Sequence, residues 1–231
     1  MKLARSSRAT EVLARWVVLL LVFSSVALSA GDVQPNTLTE QEKKDGFVLL
    51  FDGKSLDGWK AAENPKSFSV VDGKIVADGP RAHLFYVGDV CKHNFKNFEL
   101  RLRVLNHPKA NGGVFFHAVY QEKGWPLKQG YEAQVNNTYK DPKKTGSIYN
   151  YNNVMESPVN DNEWWDYTIR VTGRKIATIV NGKVVAEYVE PENDPEKHRL
   201  KGGTFALQCH DPKSKVEYHT IRVRVLPDDA K

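Results

Sequence analysis

Apolar and polar side chains alternate in short runs, and glycine dipeptides break those runs. This pattern constrains the fold more than any other feature of the chain. From Asn97 to Leu105, Phe98, Leu100, Leu102 and Val104 share one face while Glu99, Arg101 and Arg103 share the other. A period of two belongs to an extended strand half-buried on a sheet, not to a helix with its 3.6-residue repeat. Asp72-Gly73 separates Ser67–Val71 from Lys74–Ala77, and Asn181-Gly182 separates Lys175–Val180 from Lys183–Tyr188. Both dipeptides suit the two positive φ angles of a type I′ turn, so each predicts a two-residue β-hairpin. Phe47–Phe51, Val114–Val119, Tyr131–Val135, Trp164–Val171, Thr204–Cys209 and Val216–Leu226 read as further strands. No long segment has helical periodicity. The polar stretch 31–45 is a lead-in with at most one short helix at Thr39–Lys44. No repeat or linker divides residues 46–227, so they are expected to form one all-β sandwich or barrel.

The first thirty residues follow a different logic. Lys2, Arg5, Arg8 and Arg15 precede a thirteen-residue apolar run, Trp16–Leu28, which ends in Ser29-Ala30-Gly31. A membrane-spanning helix needs about twenty apolar residues. The basic, apolar and small-residue order is that of a secretory signal peptide over residues 1–30. The expectation is cleavage near Ala30 and a mature protein, with no further membrane span, in the periplasm or outside the cell. An uncleaved N-terminal anchor is the alternative.

Charge then excludes one class of partner. The chain carries 33 basic and 28 acidic side chains. Removing residues 1–30 takes away four basic residues and Glu11, leaving 29 against 27. That balance gives no electrostatic case for nucleic acid. Two cysteines, Cys91 and Cys209, exclude a disulfide scaffold and a four-cysteine zinc site. Cys209 alternates with Phe205 and Leu207, so a buried free thiol is favoured over a disulfide. The sequence lacks G-x-S-x-G, a P-loop, G-x-G-x-x-G and H-E-x-x-H. The seven histidines are scattered, so metal binding stays open and no cofactor is expected. One sequon, Asn136-Asn137-Thr138, carries no weight, because one chance match is common.

Gly130–Asn136 is the strand with chemical content. If Tyr131, Ala133 and Val135 pack inward, Glu132, Gln134 and Asn136 share the opposite face at a spacing of about 6.5–7 Å. Glycosidases with a two-carboxylate mechanism need a second carboxyl nearby. Here the neighbours are amides, which suits a sugar-binding face or a reaction with one base; a plain solvated face is the alternative. Gln208 and His210 lie opposite Leu207 and Cys209 and form a second candidate edge. Phe115 and His117 are expected on one face, opposite Val114, Phe116 and Ala118. Trp125, in Gly124-Trp125-Pro126, is placed to stack on a sugar ring. Of Trp164 and Trp165, one is expected in the core and one at the surface.

Seven blocks in order resemble the 3-keto-disaccharide hydrolase domain family. They are Gly46–Trp59, Phe98–Arg103, Asn111–Phe116, Gly130–Val135, Thr145–Tyr149, Glu163 to Gly182, and Leu207–His210. The resemblance spans about residues 46–227. It departs from the family at His117, where many relatives carry Arg, and over Tyr149–Val154. It implies a concanavalin A-like jelly-roll sandwich of two curved antiparallel sheets with a carbohydrate ligand on a concave face. It also implies cleavage of 3-keto glycosides by C2 proton abstraction, β-elimination and hydration. Glu132 would then be the base, and His210 the enolate stabiliser or leaving-group acid. Asn111, His117, Gln134 and Gln208 would position hydroxyls, with Trp125 and Tyr149 completing the substrate-binding set. A non-catalytic carbohydrate-binding module on the same face is the competing class.

Overall fold

Both predicted hairpins form in the computed structural model, which describes residues 34–126 and 128–228. Asp72 and Gly73 have φ of 48° and 76°, and Asn181 and Gly182 have 48° and 77°, the signature of type I′ turns. They join β3 to β4 and β10 to β11. The thirteen strands are β1 (Val48–Leu49), β2 (Trp59–Ala62), β3 (Phe68–Val71), β4 (Lys74–Asp78), β5 (Ala82–Tyr86), β6 (Phe98–Asn106), β7 (Asn111–Ala118), β8 (Tyr131–Asn136), β9 (Trp164–Thr172), β10 (Lys175–Val180), β11 (Lys183–Val189), β12 (Thr204–Cys209) and β13 (Lys215–Val225). Among the described residues one α-helix, α1 (Glu40–Lys44), precedes them. Its Thr39 and Glu42 form a reciprocal capping box.

The strands make two antiparallel sheets. One has eight strands in the order β11-β10-β9-β6-β13-β4-β3, with β1 also paired to β13; the other has five in the order β2-β5-β12-β7-β8. Between them lies one apolar core that includes Trp165, Tyr167, Phe98, Phe116 and Phe205. Each such side chain contributes about 1.5–3 kcal/mol by leaving water. Trp165 is 1% exposed, while Trp164 is half-buried with its ring against His219. The tryptophan pair therefore splits as expected. Cys209 is buried and Cys91 exposed, both as free thiols.

Two strands, β2 and β5, escape the sequence reading. The five residues of β5 are all buried, so the alternation that marks a half-exposed strand is missing. The expected strand at Phe47–Phe51 shrinks to the two residues of β1. No helix among the described residues is long and apolar enough to cross a membrane. The proposed signal peptide lies outside the described residues.

Candidate functional site

Strand parity gives the five-stranded sheet two unlike faces. Tyr131, Ala133 and Val135 of β8 and Phe205, Leu207 and Cys209 of β12 point into the core between the sheets. The outer face carries a small apolar cluster of Ala62, Phe85, Phe115, Ala118 and Ala206. Beside that cluster lie polar side chains that are nearly sealed from water: His83, Glu132, Gln134 and Gln208 are 0%, 6%, 1% and 1% exposed. Glu132 owes its position to Gly113 on the neighbouring strand. A Cβ there would stand 2.3 Å from Glu132 Oε1, so any larger residue would displace the carboxyl.

Glu132, Gln208, His210, Tyr149 and Trp125 line one pocket of about 240 Å³. These are five of the eight residues expected from the sequence. Gln208 Nε2 donates to Glu132 Oε1 at 3.1 Å. Burial pushes the Glu132 carboxyl up to about 8; Asp141 reinforces this, and the Gln208 hydrogen bond and Lys143 oppose it. Tyr149 arrives on a segment that pairs with the free edge of β8. The Tyr149 N–H donates to the Glu132 carbonyl at 3.0 Å, and the Gln134 N–H donates to the Ser147 carbonyl at 2.9 Å. The Tyr149 hydroxyl donates to Asp141 Oδ2 at 2.9 Å, and burial followed by that bond raises its pKa to about 12.

His210 follows β12 and has its own orienter. Its Nδ1 lies 2.8 Å from Asp211 Oδ2. An ionised carboxylate can only accept, so Nδ1 carries the proton and Nε2 is left for proton exchange. Asp211 is itself fixed by the Lys213 N–H at 2.9 Å and the Ser214 hydroxyl at 3.1 Å. Trp125 and Tyr139 flank the imidazole at ring distances of 5.6 and 5.4 Å.

Gln134 and Asn111 sit on the outer face but do not line this pocket. The Gln134 amide donates to the Lys143 carbonyl at 3.4 Å. Asn111 pairs in register with Asn136, whose amide donates to the carbonyls of Asp141 and Lys143 at 3.0 and 2.8 Å. Asn136 is fully buried, so the sequon is closed in the folded protein. The outer face nevertheless holds a concentration of unmet hydrogen-bonding capacity. Both ring nitrogens of His83, Asn111 Oδ1, Gln134 Oε1 and Gln208 Oε1 are buried without a partner, five of the nine such atoms among the described residues. Buried polar groups are rarely left unpaired, so these atoms single out this face of the sheet as the candidate site.

His117 is the correction. Simple alternation places it beside Phe115, but the structure does not. Its φ is 52°, and the β12–β7 register shifts between Thr204 and Ala206. This bulge inserts a residue and turns the imidazole off the outer face. The ring packs against Phe98 and Phe116 of the core. The Gly202 N–H donates to Nδ1 at 3.3 Å, so Nε2 carries the proton and donates to the Lys96 carbonyl at 2.8 Å. Burial holds its pKa down at about 4.

His83 is what sequence reasoning missed. It faces Gln208 in register on β5, and its ring meets Phe115 and Trp125 edge-on at 5.4 and 5.5 Å. Burial, reinforced by Arg81 and His210 and opposed by Glu63, lowers its pKa to about 4. The available signal was a histidine in an otherwise apolar run, Ala82-His-Leu-Phe-Tyr86, which was not recognised as a strand. Among the described residues no group of three or more His, Cys, Asp or Glu is arranged to hold a metal ion.

Known proteins resemble this chain in the same terms. The sequence profile of the 3-keto-alpha-glucoside-1,2-lyase-like domain matches residues 46–224. A 3-keto-disaccharide hydrolase of Bacteroides thetaiotaomicron is 32% identical over 81 residues, which is 32% of this chain and 28% of that relative's length. A Parabacteroides distasonis protein catalogued as a candidate glycosyl hydrolase superposes with a TM-score of 0.71 at 25% identity, over 84% of this chain and all of its own. A Bacillus licheniformis β-glucanase matches with a TM-score of 0.54 at 9% identity, over 79% of this chain and 99% of its own, which is a likeness of fold alone. The fold is thus a concanavalin A-like jelly roll.

Proposed function

The chain belongs to the 3-keto-alpha-glucoside-1,2-lyase-like domain family, and on that premise we propose that it cleaves 3-keto glycosides with Glu132 as the base. The observation that carries this reading is the convergence of Glu132, His210, Gln208, Tyr149 and Trp125 on one pocket. There is one buried carboxyl there, so a two-carboxylate glycosidase mechanism has little to work with.

A ketone at C3 acidifies the C2 hydrogen, because the electron pair left behind delocalises onto the C3 oxygen. Ionised Glu132 takes that proton. The enolate then re-forms the ketone, a C1–C2 double bond forms, and the C1–O bond breaks. The departing oxygen needs a proton; it comes from Nε2 of a His210 imidazole protonated at both nitrogens, with Nδ1–H held by Asp211, and the water that later adds at C1 returns that proton to Nε2. Water then adds at C1 and a proton returns to C2, so the net reaction is hydrolysis. Asp211 fixes the orientation of the imidazole by accepting from Nδ1.

The raised pKa of Glu132 serves this chemistry in two opposing ways. With a value of about 8, about one carboxyl in ten is ionised at pH 7. That minority form binds a proton more tightly than an ordinary carboxylate does, which favours abstraction from carbon. Gln208 donates to the ionised oxygen, and its own Oε1 remains free to accept from a substrate hydroxyl. Residues 1–30 support action outside the cytoplasm. N-terminal sequencing of exported protein tests that point, and finding Met1 would reject cleavage.

The direct test is exchange of the C2 hydrogen of a 3-keto glucoside in deuterated water, followed by release of the aglycone. Wild-type protein should do both. Binding without exchange or cleavage would leave a carbohydrate-binding module instead.

A further inference from the structure

When Glu132 takes the C2 proton, the electron pair left behind comes to rest on the C3 oxygen. That oxygen needs a fixed donor, because a pocket closed to bulk water offers it no other. Strand order decides where the donor must stand. In the five-stranded sheet β7 separates β12 from β8. The Glu132 carboxyl leans over β7, where Gly113 leaves it room. Gln208 and His210 stand on the β12 side. Tyr149 stands on the other side, on the segment paired with the free edge of β8. The base therefore sits between His210 and Tyr149.

The ring of a 3-keto glycoside has the same order. C2 lies between C1 and C3, so a base at C2 has the leaving oxygen on one side and the C3 oxygen on the other. The two ends of the pocket differ in the same sense. At the His210 end a further cavity of about 580 Å³ shares Trp125 and His210 with the pocket, and Tyr149 is not part of its lining. A leaving group has its exit there. At the Tyr149 end stands the segment 146–152, which is tied to both sheets. It pairs with β8 through Ser147 and Tyr149, the Thr178 hydroxyl of β10 donates to the Gly146 carbonyl, and the Asn152 amide donates to the Glu187 carbonyl of β11 at 2.9 Å. That end suits an oxygen that carries nothing further.

We propose that the Tyr149 hydroxyl is the catalytic donor that stabilises the C3 oxygen of the enolate. This rests on the cleavage reading above and adds a role that neither Glu132 nor His210 fills, since Glu132 is then holding the C2 proton and His210 faces the leaving oxygen. In the first step the C2–H bond breaks and its proton goes to Glu132. The C–H pair becomes the C2–C3 double bond, and the π pair of the ketone moves onto oxygen, which accepts from the Tyr149 O–H. In the second step the oxygen returns its pair, the C1–C2 double bond forms, and the C1–O bond breaks. Tyr149 keeps its proton throughout. Burial and the Asp141 bond raise its pKa to about 12, so it acts as a hydrogen-bond donor and not as an acid.

The donor is held ready by its neighbours. The Tyr149 hydroxyl donates to Asp141 Oδ2 at 2.9 Å. Asp141 is fixed in turn, because its Oδ1 accepts from the Lys143 N–H at 2.9 Å and its carbonyl accepts from the Asn136 amide at 3.0 Å. The one hydroxyl hydrogen has only to rotate about the C–O bond, from Asp141 to the substrate oxygen, and little else must reorganise. Lys143 Nζ stands 4.2 Å from the Tyr149 ring centre. Its charge offsets that of Asp141, so an anion forming beside Tyr149 does not face the carboxylate alone.

Two probes separate the two ends of the pocket. One is methyl 3-keto-glucoside. The other is the same ring with hydrogen in place of the C1 oxygen, which can lose its C2 proton but releases nothing from C1. Tyr149→Phe keeps the half-buried ring and removes only the hydroxyl, so the variant should fold. It should slow C2 hydrogen exchange in deuterated water by about 10²–10³-fold on both probes, with KM within about threefold. The infrared C3 carbonyl stretch of the bound deoxy probe should lie lower in wild type than in Tyr149→Phe, a shift that a merely structural role would not produce. His210→Gln should slow methanol release from the glycoside far more than it slows exchange in the deoxy probe. Exchange at the wild-type rate in Tyr149→Phe, or an unchanged carbonyl stretch, would overturn the donor while the cleavage reading stands. So would a His210→Gln protein that lost more exchange in the deoxy probe than Tyr149→Phe does, because His210 would then face the C3 oxygen. A wild-type protein that exchanged neither probe would overturn the cleavage reading and this inference with it.

Discussion

Glu99 and Glu132 are both strand glutamates on outer sheet faces, both nearly sealed from water, at 0% and 6% exposure. Their surroundings drive them in opposite directions. Burial pushes each carboxyl up. At Glu99, Arg101 and Arg170 outweigh burial and hold the pKa below its ordinary value. Arg101 Nε and Arg170 Nε donate to its two oxygens at 2.7 Å each, and Arg224 adds a contact at 3.3 Å. At Glu132 the hydrogen-bonding partner is an amide, and burial wins. Burial alone therefore does not mark a reactive carboxyl. A buried carboxyl left without a cation is the informative case, because the fold bears that cost for no structural return.

Glu132→Gln and Glu99→Gln should break the pair most sharply, with opposite signs. Glu132→Gln removes the base and should lower turnover by about 10²–10⁴, with C2 hydrogen exchange lost in parallel. The folded pKa of Glu132 lies above its unfolded value, so its contribution to stability is complete below about pH 4.5 and is lost as pH rises through about 8. The amide escapes that loss. The variant should melt above wild type at pH 8, by on the order of a few kcal/mol, and match it near pH 4. A lower melting temperature at pH 8 would sink the account of Glu132. In wild type, kcat/KM should climb as pH rises towards about 8, the limb of a base that must first ionise.

Glu99→Gln should do the reverse. Arg170 and Arg224 lose their counter-charge and Arg101 keeps only Glu42, at 3.6 Å, but each is roughly a third or more exposed, so the cost is about 1–3 kcal/mol, below that of a fully buried pair. Activity per folded molecule should hold. The folded pKa of Glu99 is depressed, so its stabilisation is present above about 4.5 and fades as pH falls through the folded value. Urea midpoints at pH 7 and pH 4 separate the two glutamates. A Glu99→Gln protein as stable as wild type at pH 7 would show that the arginine cluster contributes nothing.

The same contrast explains what the sequence could reveal. Alternation in β6 and β8 and the two glycine turns were legible because each depends on residues adjacent in the chain. So were Glu132, Gln208 and His210, since parity on straight strands decides their face. His117 was misread because the bulge that turns it is set by the register against β12, not by its own neighbours. Gly130 is part of that device: a Cβ there would stand 2.0 Å from the Phe116 carbonyl. His83 was passed over because β5 is buried on both faces and leaves no period-two trace. The arginines that silence Glu99 were visible only in part. Arg101 is two residues away, whereas Arg170 and Arg224 arrive through pairing of β6 with β9 and β13.

His117 gives the smallest effect and the cleanest separation of fold from chemistry. Its ring bridges the Lys96 carbonyl and the Gly202 N–H, two contacts that hold the β7 bulge and the approach to β12. His117→Gln should cost about 1–2 kcal/mol through those bonds and leave kcat/KM per folded molecule within about twofold. Acid should sharpen the difference. The folded pKa of His117, about 4, is depressed below the ordinary value of 6.5. Its stabilisation is therefore complete above about 6.5 and is lost as pH falls through about 4. His83 and His219 carry the same acid liability at the same value, so wild type should lose stability over this window from all three histidines, and His117→Gln from one fewer. Melting temperatures from pH 7 to pH 4 should therefore fall less steeply in the variant. A His117→Gln protein that kept its stability and its acid slope but lost turnover would return this residue to the site, against the bulge that turns it away.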